Sequence, residues 1–250
     1  MHFTCLINLK KMDAINTKTR IFLIPNYLAE DNPNEFLSEY VRMQVHTVQH
    51  FIVENEKQAR ALIKRLNLKT PQSDLKLLLW NEHSKPSETK EVEDFLNKKV
   101  DIGIITDAGL PCIADPGADI VAIAHKKDIE VIPLPGPSSI FMALMASGMN
   151  GQGFTFNGYL PIDKLARSKR LKQLELDAMR LKHTQLFMET PYRNNQLLAD
   201  IIINCKGDTL LCIACNISSK DGFVKTKTIN QWKQIKPDLH KQPTIFAFGV

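Results

Sequence analysis

Between Arg20 and Ile132, short apolar runs alternate with helical patterns. Arg20–Ile24, His50–Val53, Leu75–Trp80, Ile102–Thr106 and Glu130–Ile132 read as strands. Glu35–Met43, Glu56–Leu66, Thr89–Asn97 and Ala118–Lys126 read as the helices between them. Strands separated by helices over short connections predict a parallel sheet covered on both faces. Ile102-Gly-Ile-Ile-Thr106 fits that placement, since a strand buried on both faces has to be almost wholly apolar.

The second half follows a different rhythm. Ser138–Ser147 is an apolar helical stretch, and Gly148–Gly153 breaks it. Phe154–Leu160 resumes as a strand, Leu165–Leu181 is a long charged helix, Thr184–Met188 a strand and Asn194–Ile203 a helix. Thr209–Ile213 and Thr244–Gly249 are further strands, with a turn at Gly222 between Ser218 and Phe223. The expected architecture is two α/β domains. An N-terminal one over 19–134 carries a mostly parallel sheet, and a C-terminal one over 135–250 carries a mixed sheet. Residues 1–18 read as an extension outside both, in which Met12 is an alternative start.

Composition excludes several classes. Hydrophobic residues make up 44% and charged residues 24%, as in a soluble globular protein. No apolar run approaches the roughly 20 residues of a membrane helix. The first residues lack a secretory leader, so the expected compartment is the cytoplasm and no membrane partner is expected. The five cysteines then read as free thiols. Cys212 and Cys215 have the spacing of a metal pair. They lie on a strand, where residues three apart face opposite ways, so no metal site is expected. The net charge of +5 permits an anionic partner without requiring one. The densest basic cluster is Lys164, Arg167, Lys169, Arg170 and Lys172.

Two loops carry the chemistry. Asp107-Ala-Gly-Leu-Pro-Cys-Ile-Ala-Asp-Pro-Gly117 directly follows a buried strand. In open α/β sheets, ligands bind beyond the carboxyl ends of the strands. Its glycines permit sharp turns or close approach, and its prolines restrict the loop. It is either a ligand loop or a tight strand-to-helix connection, and it lacks the first two glycines of the dinucleotide fingerprint. Pro133-Leu-Pro-Gly-Pro-Ser-Ser139 is the second element, with Ser138 placed to cap the following helix. It serves as a ligand wall, an interdomain hinge, or both.

Four segments in order, TDAGLPCIADPG at 106–117, PLPGPSSIFMALMASGM at 133–149, FNGYLP at 156–161 and METPYR at 188–193, closely resemble the tetrapyrrole-methylase superfamily. Within it they are most similar to the branch that methylates a cytidine ribose 2′-oxygen of 16S ribosomal RNA. The resemblance covers roughly residues 19–250. It implies two α/β domains with S-adenosylmethionine in the cleft between them, a homodimer, and ribosomal RNA or the small ribosomal subunit as partner. It places Ala108, Gly109, Leu110 and Ile113 against the cofactor, with Ser138 and Ser139 after Pro135-Gly136-Pro137. Glu189 and Ile217 would meet it from the second domain.

The chain departs from that pattern on the acceptor side. The glycine-containing loop after the first strand is Pro25-Asn-Tyr-Leu-Ala29. The acidic segment after the second strand is Glu54-Asn-Glu-Lys57, and a third segment is reduced to Cys215-Asn-Ile-Ser-Ser-Lys220. No helical tail follows the last strand. A small-molecule acceptor such as a tetrapyrrole, or a non-catalytic binding protein, are the competing readings. A ribose hydroxyl benefits from a base, for which Asp107, Glu82 and His83 are candidates. Trp80, Phe154, Phe156, Tyr159 and Tyr192 are candidates for base stacking, Tyr159 and Tyr192 being the two expected at the surface. Arg193 is a candidate phosphate ligand or a structural ion pair.

Overall fold

The computed structural model describes residues 18–249, so all but the last residue of the expected extension lies outside the described residues. The chain divides into two compact units. One comprises the described residues up to Ile24, Tyr40–Asp107 and Pro111–Leu134. The other comprises Pro25–Glu39, Ala108–Leu110 and Pro135 onward.

The first unit is built on β1 (Arg20–Ile24), β2 (His50–Val53), β3 (Lys76–Leu79), β4 (Asp101–Ile105) and β5 (Glu130–Pro133). They form a wholly parallel sheet in the order β3-β2-β4-β1-β5, as the strand–helix alternation predicts. Helices α1 (Glu39–Val45), α2 (Glu56–Leu66), α3 (Thr89–Leu96) and α4 (Gly117–Lys126) connect the strands. Ile21, Ile52, Ile102 and Ile104 on one face pack with Val92, Phe95 and Leu96 of α3 and Ile120 and Ala124 of α4. The alternate residues Phe22, Ile24, Phe51, Val53 and Ile105 are equally buried on the other. Asn55 caps α2 by accepting from Lys57 N and Gln58 N.

One expected helix is corrected. Glu35–Met43 is not continuous: a 3-10 turn over Asn34–Phe36 ends at Leu37, which is extended, and α1 begins only at Glu39. The break lies at Leu37, two residues before the chain passes from one unit to the other between Glu39 and Tyr40. Leu37 is fully buried there, and its burial overrides the local helical pattern.

The second unit contains α5 (Ser139–Ser147), β6 (Phe154–Tyr159), α6 (Lys164–Leu181), β7 (Thr184–Met188), α7 (Asn194–Asn204), β8 (Leu210–Cys215), β9 (Phe223–Thr228), α8 (Ile229–Ile235) and β10 (Thr244–Gly249). The sheet order is β6-β7-β10-β8-β9. Only β6 and β7 run parallel, so this sheet is mixed. Helices α6, α7 and α8 cover one face through Leu171, Leu174, Leu197, Ile201 and Trp232. Helix α5 covers the other through Ile140, Ala143 and Leu144, against Leu186, Cys212, Ala214, Ile245 and Ala247.

Cys212 thus lies in the α5-side cluster and Cys215 in the opposite one, the separation that their strand spacing predicts. The pair β9–α8 is an addition to the expected elements. Its alternating Lys225 and Lys227 dilute the apolar pattern, as charges on an edge strand commonly do. A capping box between Thr228 and Gln231 starts α8, and Trp232 donates its indole N–H to Leu211 O at 2.8 Å. No helix among the described residues is long and apolar enough to cross a membrane.

Candidate functional site

In the first unit, the carboxyl end of β4 carries three acids. Glu54, at the end of β2, accepts from the Thr106 hydroxyl at 3.0 Å and from Asp107 N at 3.4 Å. Asp115 accepts from Cys112 N at 2.8 Å and Gly117 N at 2.7 Å. These bonds hold a strained loop, in which Cys112 and Ala114 both have φ above +60°. Non-glycine residues in the left-handed region persist only where their surroundings fix them, and such positions cluster at functional sites. Trp80 is buried and donates its indole N–H to Pro116 O at 3.2 Å, which ties the loop to the end of β3. The crevice under these residues encloses about 10 Å³, room for one water rather than a ligand.

Burial holds Asp107 above the ordinary carboxylate range, and the charges of Glu54 and Asp115 add to it. Glu82 and His83 lie elsewhere, in the loop after β3. They lie 3.6 Å apart in a loop with side chains 83% and 84% exposed. Ile113 is exposed in the strained loop.

The remaining cofactor candidates all fall in the second unit. Three backbone segments meet there: the start of the loop after β1, Ala108–Leu110, and Pro135–Ser138. Asn26 N donates to Gly109 O at 2.8 Å. Gly109 has φ +74°, and a Cβ on it would stand 3.2 Å from Leu28 Cδ2 and 3.5 Å from Pro137 O. A Cβ on Gly136 would overlap the Pro25 ring. Gly109 is therefore required by its left-handed backbone and Gly136 by the Pro25 ring packed against it, while Ala108, Pro135 and Gly136 keep exposed surface. Ser138 caps α5, accepting from Phe141 N at 3.4 Å, as its position predicts; Ser139 begins the helix.

Strand register brings the other candidates to this region. β10 is antiparallel to both β7 and β8, so the carboxyl ends of β7 and β8 share one end of the sheet. Met188 and Ile217, at those ends, pack against the same cluster as Ile140 in the first turn of α5. Glu189 turns away from that cluster. It is buried, and its carboxylate accepts from Arg193 Nη2 at 2.6 Å and from Thr190 N at 2.7 Å. Met188, like Leu186 two residues before it, thus lies on the α5 side of β7, as strand alternation indicates.

The loop after β1 extends to the far side of this end. Asn32 donates to Ser218 O at 2.8 Å and accepts the Ser218 hydroxyl at 3.2 Å. Asp31 accepts from Lys220 N at 2.9 Å and from the Ser219 hydroxyl at 3.1 Å, and the Lys220 backbone bond holds its carboxyl below the usual range. Two of the three departing segments are therefore linked: Ser218, Ser219 and Lys220 of 215–220 are held by Asp31 and Asn32, two residues that no motif marks, in the loop that begins with 25–29.

The two arginines of the α6 basic cluster are structural, while Lys164, Lys169 and Lys172 are exposed. Arg167 is only 2% exposed, pairs with Asp200 at 2.7 Å and donates to Ile162 O at 2.6 Å. Arg170 donates to Asn157. Arg193 is a structural ion partner of Glu189. Of the aromatic candidates, Trp80 is buried and Phe156 packs partly buried on the α5 side. Phe154 is partly exposed against Phe141, and Tyr159 and Tyr192 are well exposed.

The model of the family described as Tetrapyrrole (Corrin/Porphyrin) Methylases matches residues 4–232. Three curated relatives carry the name Ribosomal RNA small subunit methyltransferase I. That of Halalkalibacterium halodurans is 34% identical over 150 residues, 60% of this chain and 49% of the relative. That of Vibrio cholerae is 30% identical over 168 residues, 67% of this chain and 55% of the relative. That of Buchnera aphidicola subsp. Schizaphis graminum is 27% identical over 240 residues, 94% of this chain and 79% of the relative. The chain spans about half the length of the first two. Among solved structures, the methyltransferase CobJ aligns with a TM-score of 0.59 at 13% identity, covering 93% of each chain. The cobalamin biosynthetic enzyme cobalt precorrin-4 methyltransferase aligns at 0.58 and 11% identity, covering 92% of this chain and 94% of that one. At these identities the likeness is one of fold.

Proposed function

This chain belongs to the tetrapyrrole (corrin/porphyrin) methylase family, and on that premise we propose that it is an S-adenosylmethionine-dependent methyltransferase acting on the ribose 2′-hydroxyl of a cytidine in ribosomal RNA. The observation that carries the reading is the glycine-dependent junction of residues 25–28, 108–110 and 135–138, beside the first turn of α5.

The residues of this junction fit the cofactor in kind. Ala108, Gly109, Leu110, Pro135 and Gly136 offer backbone at close approach. Ser138 and Ser139 offer hydroxyls, and Ile217 and Met188 offer apolar walls. Ile113 would add an apolar contact from its exposed position in the same loop. The Glu189 carboxylate is engaged by Arg193 and Thr190, so its part would be to fix the end of β7 through those bonds. S-adenosylmethionine supplies a methyl group on a sulfonium, which needs no covalent intermediate on the protein. The chain's task is alignment, worth about 7–11 kcal/mol in favourable cases.

We place Asp107 as the group that accepts the proton from the ribose hydroxyl. A carboxylate held above its ordinary range is a better base near neutral pH, and general base catalysis typically contributes about 10²–10⁴-fold. Glu82 and His83, side by side and exposed, are the secondary candidates. The names of the curated relatives favour RNA over a tetrapyrrole acceptor. We further propose a homodimer working in the cytoplasm, which sedimentation of the purified protein and fractionation of cells would test.

Titration calorimetry with S-adenosylmethionine tests the cofactor; no heat at millimolar ligand would end the methyltransferase reading. Ribose-methylation mapping of ribosomal RNA from cells lacking the gene tests the acceptor. Loss of one cytidine methylation is expected. An unchanged profile with intact cofactor binding would leave a small-molecule acceptor or a binding protein.

A further inference from the structure

Tyr192 is 69% exposed although the backbone around it is firmly held. It sits in the 3-10 turn Pro191–Arg193 between β7 and α7. Arg193 N donates to Thr190 O at 2.9 Å, and the Glu189–Arg193 pair locks the turn from beneath. Pro191 O accepts from Lys241 N at 3.0 Å, which fastens the loop before β10 onto the turn. That loop is itself fixed, because Asn195 binds both Leu239 N and the Asp238 carboxylate at 2.7 Å. The Tyr192 ring is therefore presented to solvent by a rigid support and is not part of a mobile tip.

Its nearest ring and charge neighbours are polar. The His240 ring stands edge-on to it at 6.2 Å, and Lys241 Nζ lies 5.9 Å from its centroid. From Lys220 to Lys241 the chain carries six lysines and a histidine against two aspartates. Asp221 accepts from Ser219 and Asn216 and Asp238 from Asn195 and His240 N, all neutral donors, so both keep their charge and the stretch retains a net excess of lysine over aspartate. An exposed flat ring beside the Lys241 ammonium has the chemistry of a single-strand nucleic-acid platform, on which a base stacks while a cation takes an adjacent phosphate.

We propose that Tyr192, with His240 and Lys241, stacks an unpaired base of the RNA that carries the acceptor nucleotide. This rests on the reading of RNA as acceptor and adds where the strand is gripped. An acidic protein partner would be met by the lysines but would gain little from the ring.

The test is fluorescence anisotropy of a labelled single-stranded RNA oligonucleotide with the full chain. Tyr192→Ala should weaken binding about tenfold, within the range measured for loss of one stacked base. Tyr192→Phe and Tyr192→Trp should retain it. Lys241→Ala should reduce the slope of log affinity against log salt by about one. The thermal midpoint of each variant, expected unchanged, shows that folding is not the cause. Equal binding by wild type and Tyr192→Ala overturns the platform alone. Equal weakening by the Phe and Ala variants also overturns it, since the hydroxyl and not the ring would then be the contact. A wild-type chain that binds S-adenosylmethionine but no RNA overturns the RNA reading and the platform together.

Discussion

Asn32 and Ser218 lie 186 residues apart in sequence and exchange two hydrogen bonds, one in each direction. Ser218 adopts φ +70°, and Asp31 beside Asn32 accepts from both the Ser219 hydroxyl and Lys220 N. The loop after β1 is held at one end against Gly109 and at the other by these bonds. Asn32→Ala removes a buried side chain and leaves Ser218 O, the Ser218 hydroxyl and Ala29 N without their partner, which should destabilise the protein by about 1–3 kcal/mol in urea unfolding. If the loop also shapes the acceptor end, the variant's KM for RNA should rise more than its kcat falls.

Gly136→Ala places a methyl group into the Pro25 ring. Separation of the two segments is the only relief, at about 1–3 kcal/mol. Calorimetry should then show cofactor affinity reduced at least tenfold. Unaltered affinity in a folded variant would move the cofactor away from this junction.

Asp107 offers a pH test. Burial raises its pKa first, and the charges of Glu54 and Asp115 raise it further. The folded protein therefore holds this proton more tightly than the unfolded chain, and ionised Asp107 opposes folding. Asp107→Asn should raise the denaturation midpoint near neutral pH. The gain should shrink as pH falls through the raised pKa, and vanish below the ordinary value of about 3.9. Methyl transfer by the same variant should drop by about 10²–10⁴ if Asp107 takes the proton.

Arg167 and Asp200 are 2% and 6% exposed. Asp200→Ala leaves a buried guanidinium unpaired and should cost about 3–5 kcal/mol. The salt dependence of RNA binding should be unmoved by Arg167 variants that still fold, because this cation never reaches the surface.

Burial pushes the Cys112 and Cys205 thiols up to about 12. At pH 8 the thiolate is then about one part in ten thousand, and native alkylation should be very slow. Rapid labelling of Cys112 with iodoacetamide, read by peptide mass, would show that the strained loop opens.

The sequence by itself determined the layered architecture and two of its key loops. Apolar period and glycine–proline punctuation are local properties, so the parallel sheet, the Ser138 cap and the opposite facing of Cys212 and Cys215 could be read from spacing. Tertiary structure alone decided what depends on partners distant in the chain. It broke the expected Glu35–Met43 helix at the buried Leu37, and it buried Arg167 against Asp200 instead of leaving it in a basic surface. It engaged Glu189 with Arg193 and carried residues 25–39 into the second unit through Asn26, Asp31 and Asn32. Each of these outcomes is set by burial and by hydrogen bonds between residues that local patterns cannot bring together. The same dependence on distant partners left Tyr192 in solvent on a rigid turn.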